Sequence, residues 1–283
     1  MFNELQEREF GLLSVLSTAW SVYCQRFRAI LIITLIVYIP TNIIEFFILM
    51  NVEKVESYMK FVMNLEMFIG VIACMGIAII VEKAVKNEDV DWKTALSQSF
   101  ASWNKCVVTN LSAGLRILGW TLLLIVPGII WFIYYYFVTQ IVALRGISGI
   151  KVLDYSKALV KERWWRTFEI IVAIIIATIV ISCVKEYLLG TLCNMFSESC
   201  LGLDMLPDWL FDILPDWLLK IWPAIFSVFF IICETVENII DAFFTVAVTV
   251  LFLNLDYITK ININELNSEL PGEMDVETCE AKI

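Results

Sequence analysis

Residues 124–133, LIVPGIIWFI, lie inside Ile117–Leu144, a run with no charged side chain. The Pro127-Gly128 pair within it leaves two readings, one kinked helix or two helices joined by a turn. The choice sets the facing of every later segment. A bilayer core of about 30 Å takes about 20 apolar residues per helix. On that length Ala29–Met50, Phe61–Val81, Val107–Val126, Gly128–Leu144 and Thr167–Cys183 are expected spans, and a sixth ends near Leu255. The start of the sixth is open, because Ile221–Leu255 is too long for one crossing and contains Glu234, Glu237 and Asp241.

Basic residues choose between the two readings, since Lys and Arg stay on the cytoplasmic side. With a turn at Pro127-Gly128, 15 of the 20 Lys and Arg fall on one side and 4 on the other, with Arg116 inside a span. A single kinked helix distributes them 9 and 10. The hairpin alone gives a bias. Both termini are therefore expected in the cytoplasm of a multi-pass plasma-membrane protein, with Pro127-Gly128 as an outer turn.

Composition agrees with this class. Of 283 residues 60% are hydrophobic, mean hydropathy is +0.80, and there are 19 Phe and 10 Trp. Such apolarity exceeds that of soluble domains, which are roughly half apolar. MFNELQEREF has no basic leader, so the first apolar segment is expected to remain in the mature chain. Histidine is absent, and the eight Cys form no CxxC or zinc-like cluster. Ser-His and Cys-His catalysis and His-ligated metal sites are thereby excluded. No P-loop or GxSxG elbow occurs. The expectation is a chain that is no enzyme, with no cofactor, no metal and no nucleic-acid partner.

Helical spacing of apolar residues recurs before the odd-numbered spans. Leu12, Leu16, Trp20, Tyr23 and Phe27 form one set; Trp92, Leu96, Phe100, Trp103 and Val107 a second; Leu153, Val160 and Trp164 a third. Each ends in an aromatic-basic junction: Arg26-Phe27-Arg28, Trp103-Asn104-Lys105, Trp164-Trp165-Arg166. Amphipathic helices of this type lie in the headgroup plane. The expected architecture is an all-α integral membrane protein with six transmembrane helices as three hairpins, each preceded by an interfacial helix. Residues 1–260 form one polytopic domain, with 184–240 as an outer loop bearing interfacial helices. Residues 261–283 are an acidic cytoplasmic tail, read as flexible.

LSTAWSVYCQRFRAILIITLIVYIP (16–40), LLLIVPGIIWFIYYYFVTQIVAL (122–144) and GISGIKVLDYSKALVKERWWRTFEI (146–170) resemble the membrane domain of glycerophosphodiester phosphodiesterases, which also occurs alone in bacterial and archaeal membrane proteins. The likeness rests on Pro40 closing the first span, the apolar run into Pro127-Gly128, and Gly149 before a helix with Ser156, Leu159, Lys161 and Trp164-Trp165-Arg166. FTVAVTVLFLNLDYI (244–258) resembles the family's last span, with Asp256-Tyr257 in inverted order. The resemblance implies six helices and a membrane scaffold. It implies no catalysis, because in the family that belongs to a separate soluble barrel with metal-binding acids and catalytic His residues.

Ionisable groups within apolar spans are functional candidates by default, because each costs about 2.5–3.5 kcal/mol to insert. Arg116 lies near the middle of the third span, with Glu45, Glu66 and Glu169 as possible carboxylate partners. Outside the membrane, LPDWL occurs twice in residues 206–223 and places Asp208, Asp212 and Asp216 at helical spacing. Glu234, Glu237 and Asp241 share a second helical face. Together they form a candidate outer docking face for a cationic peptide or a partner protein. The leading expectation is a non-catalytic accessory or scaffold protein acting in envelope maintenance or protection, with the bilayer as its main partner. The alternative is a permease-like protein moving a small amphiphile, ion or peptide through a cavity that includes Arg116.

Overall fold

The computed structural model describes residues 5, 6, 8–51, 55–201 and 216–269; side chains within 45–67, 189, 192–201, 216–227 and 261–269 fall outside the description. Every regular element among the described residues is a helix. In chain order they are α1 (Leu12–Asn51), α2 (Val55–Val85), α3 (Trp92–Leu123), α4 (Ile125–Tyr134), α5 (Val138–Arg145), α6 (Ile150–Lys161), α7 (Trp164–Leu201) and α8 (Asp216–Glu269). Six stretches are long and apolar enough to cross a membrane: Leu12–Ile44, Phe68–Val85, Trp92–Leu123, Ile125–Arg145, Trp164–Leu188 and Val228–Lys260. The chain is an all-α membrane protein. Helices suit this solvent because they satisfy their own backbone polar groups where lipid offers no partner.

The hairpin at 124–133 is present, but Pro127-Gly128 is not its turn. Leu124 alone reverses the chain, with extended φ −158° and ψ 139°, and Pro127 sits in the first turn of α4. A proline is tolerated there because that N–H has no intrahelical partner. Gly128 serves close packing: a Cβ on it would meet Thr121 Oγ1 at 2.1 Å and the Thr121 Cα at 3.0 Å. Trp120 and Trp131 stack across the same hairpin, 5.8 Å between centroids.

The three aromatic-basic junctions fold in three ways. At the first, α1 bends at Arg26, whose φ −112° and ψ 17° leave the helical region. The second is no junction, since α3 runs unbroken from Trp92 through Lys105 to Leu123. Ser99 and Trp103 pack on α2 instead, and the Trp103 indole donates to the Phe68 carbonyl at 2.8 Å, which holds this segment against a neighbouring helix. At the third, α6 ends at Lys161 and α7 begins at Trp164. Pro40 does not close the first span either, because α1 continues to Asn51. Membrane helices accept such prolines where neighbouring groups satisfy the freed backbone.

Residues 184–201 and 216–240, read from the sequence as outer loop, are helical extensions of α7 and α8, and α8 also covers 261–269 of the expected tail. The repeat residues Trp209 and Asp212 lie outside the described residues, while Asp216 opens α8. The best-buried layer comes from α2, α5 and α8, with Met75, Ile80, Phe137, Ile141 and Phe252 at most 1% exposed. Large apolar side chains remain exposed on the outer faces of α3, α4 and α7, among them Leu115, Leu122, Ile125 and Ile179. Contiguous apolar surface of this kind is what a bilayer covers.

Candidate functional site

Helix α8 carries ionisable groups at three levels. In its C-terminal half Asp256, with no exposed surface, meets Arg145 Nη2 at 2.5 Å. The other Arg145 nitrogen, Nη1, reaches Glu82 Oε1 at 2.7 Å, and Tyr155 donates its hydroxyl to Asp256. Burial, then the Asp256 charge, pushes the Tyr155 phenol up, so it stays a hydrogen-bond donor. Lys86 and Lys260 complete the cluster at 3.1 Å from Glu82 and 3.2 Å from Asp256. Two carboxylates against three cations form an ionic lock joining α2, α5, α6 and α8, in which the Arg145 Nε alone is buried without a hydrogen-bond partner among the guanidinium nitrogens.

Beside it, the segment before α1 is tied to the bundle. Asn254 accepts from the Phe10 N–H at 2.9 Å and donates to the Leu5 and Arg8 carbonyls, each at 2.9 Å. Glu9 accepts from Arg163 and, at 2.5 Å, from Arg166. The hydrogen bond from Arg163 is the main reason the Glu9 carboxyl is held below its ordinary range.

Toward the other end of α8, Lys185 of α7 lies 2.9 Å from Glu234, 2.5 Å from Glu237 and 3.1 Å from Glu186. Ser182 adds a hydrogen bond to Glu237 at 2.5 Å. Glu234 and Glu237 therefore face a neighbouring helix, with side chains only 16% and 15% exposed, and are not a free docking surface. Of the rest of that proposed face, Asp208 and Asp212 lie outside the described residues, as does the side chain of Asp216.

Asp241 differs from these. It follows Glu237 by one helical turn, as the spacing predicts, yet no hydrogen bond or ion pair to its carboxylate occurs among the described residues. It lines an open cavity of about 390 Å3. Tyr38 of α1, Cys74 of α2, Thr178 of α7 and Thr245 of α8 contribute polar groups, and Ile174, Phe244 and Val248 an apolar wall. The remaining polar lining is Tyr136, in the interruption between α4 and α5, and Thr139 and Gln140, in the first turn of α5. Gln140 is 6% exposed and its Oε1 has no hydrogen-bond partner. Asp241 is 15 residues from Asp256, about 22 Å along a helix, and four from Glu237, about 6 Å. The cavity thus lies between the two ion clusters.

The other sequence candidates do not converge here. Arg116 is half-buried on α3, and no hydrogen bond or ion pair joins it to another described side chain. Glu169 is exposed on α7 beside Trp165 and Arg166. The side chains of Glu45 and Glu66 are outside the described residues. Gln140 was missed as a candidate, although an amide within the uncharged run Ile117–Leu144 is a readable signal. Glu82 and Arg145 sit at span ends, where a charge reads as ordinary anchoring.

Among known proteins, no family model, no curated protein and no solved structure matches this chain.

Proposed function

We propose that this chain is a permease-like membrane protein that binds a small organic cation in the cavity around Asp241 and moves it across the bilayer. One observation carries the reading: the exposed Asp241 carboxylate, without a hydrogen bond or ion pair among the described residues, and the buried Gln140 amide oxygen, without a partner, line one cavity whose lining includes no cationic side chain. An unpaired carboxylate within apolar helices is retained at a cost and marks ion or substrate pathways. Its volume falls in the range of about 300–1,000 Å3 typical of small-ligand sites. Hydroxyls and the rings of Tyr38, Tyr136 and Phe244 suit an ammonium group with an apolar body. The helix interruption at Tyr135–Phe137 supports the transport reading further, because discontinuous helices commonly frame transporter sites.

The setting of this proposal is a plasma membrane with both termini cytoplasmic, which rests on the bias of the basic residues. The likeness to the phosphodiesterase membrane domain is compatible with a six-helix carrier as with a scaffold. A purely accessory or scaffolding role leaves the cavity dispensable.

Equilibrium dialysis of labelled tetraethylammonium against the purified chain tests the binding step. Saturable binding that weakens at least tenfold in Asp241→Asn, with benzenesulfonate not bound, supports the proposal. Equal binding by parent and variant removes Asp241 from the site.

A further inference from the structure

The bend in α1 creates a second cavity. Residues two apart on a regular helix face different sides, so Arg26 and Arg28 would diverge. Because the helical φ/ψ pattern breaks at Arg26, both line one space of about 360 Å3, together with Gln25. Its opposite wall is Asp91 and Trp92, the N-cap and first residue of α3.

Arg26 is already engaged, its Nη1 2.6 Å from Asp89 and its Nη2 3.1 Å from the Glu88 carbonyl. Arg28 is exposed and holds no ion pair or hydrogen bond among the described residues. Asp91 makes no side-chain cap to α3, so the first-turn N–H groups of that 32-residue helix lack their usual intramolecular acceptor. A free guanidinium beside an uncapped helix start is a pairing that favours phosphate.

We propose that this cavity binds the phosphodiester headgroup of an anionic phospholipid, with Arg28 as the main ligand and the start of α3 as a second set of donors. Two features favour the lipid over free phosphate. The cavity continues over Ala29 and Ile32, and Ile36 one turn further is 43% exposed, a surface for an acyl chain. The Asp91 carboxylate also lines the cavity and opposes anions. A phosphodiester bears one negative charge, whereas inorganic phosphate near pH 7 bears between one and two, so Asp91 disfavours the latter more.

Titration of the detergent-solubilised full chain with dihexanoylphosphatidylglycerol below its micelle concentration, followed by phosphorus NMR, tests the assignment. The expected result is saturable binding that weakens at least tenfold in Arg28→Gln and tightens about twofold or more in Asp91→Asn. That opposite sign cannot come from a loss of folding, and Asp91 makes no side-chain cap for the substitution to remove. Dihexanoylphosphatidylcholine should bind at least tenfold more weakly. Equal binding by parent and Arg28→Gln, or equal binding of the two lipids, overturns the proposal. Displacement of the phosphatidylglycerol by inorganic phosphate at equal concentration assigns the site to free phosphate and overturns the lipid commitment.

Discussion

Arg145 and Asp256 lie 2.5 Å apart, nitrogen to oxygen, and the carboxylate has no exposed surface. Because Arg145 also holds Glu82, replacing it with Met leaves two buried acids with only Lys86 and Lys260 as cations, and these are one-third and one-half exposed. Breaking a buried pair from one side costs about 3–5 kcal/mol. Exposed pairs are worth at most about 1 kcal/mol. Unfolding in mixed micelles should show Arg145→Met in the first range and Lys86→Met or Lys260→Met in the second. Similar losses for all three would mean that the cluster is not organised around Arg145.

A pH dependence follows from Glu9. Its carboxyl is held low chiefly by the Arg163 hydrogen bond, so the charged form is favoured in the folded chain. For a depressed acid the stabilisation is present above the unfolded value, about 4.3 for glutamate. It is lost as pH falls through the lower folded value. Docking of the segment before α1, read by protease protection of residues 5–11, should therefore weaken on acidification below about pH 4.3. In Glu9→Gln protection should already be reduced at neutral pH and should show less of this acid dependence. An identical pH profile for parent and variant would contradict the role given to the Glu9 clamp.

The α3–α4 hairpin depends on Gly128. A Cβ at that position collides with Thr121 Oγ1 at 2.1 Å and with its backbone Cα at 3.0 Å. Overpacking of this kind costs about 1–3 kcal/mol. Gly128→Ala should lower the unfolding midpoint, and Thr121→Ala should restore only part of it, since the backbone contact remains. Full stability of Gly128→Ala would show that the two helices separate without cost.

Much of this fold can be read from the sequence. Charge counting chose the hairpin over one kinked helix, and Trp120 stacked on Trp131 is its outcome. The turn residue was misread because Pro-Gly is a strong turn signal, while Leu124 carries none; here the proline starts a helix and the glycine admits Thr121. Interfacial helices were overcounted at Trp103, because amphipathic periodicity reports two faces and not what covers them. Glu234, Glu237 and Asp241 were correctly placed on one helical face. Their difference in role was illegible, because it depends on Lys185, about 50 residues away in sequence and 2.9 Å from Glu234.

The proposed orientation has its own test. Lys161 is exposed at the end of α6, whereas Lys157 is half-buried with its ammonium 4.7 Å from the Trp131 ring centroid, so position 161 is the better reporter. In a chain lacking native Cys, a Cys at 161 should resist an impermeant thiol reagent in intact cells and react after permeabilisation. Labelling from outside would reverse the orientation.

Flux measures the central claim most directly. Proteoliposomes containing the purified chain should take up labelled tetraethylammonium saturably when the membrane potential is negative inside. Asp241→Asn should reduce the rate at least tenfold, Gln140→Leu by a smaller factor, and Glu169→Gln not at all. Uptake by parent vesicles no faster than by protein-free vesicles, or equal uptake by parent and Asp241→Asn, would contradict the account.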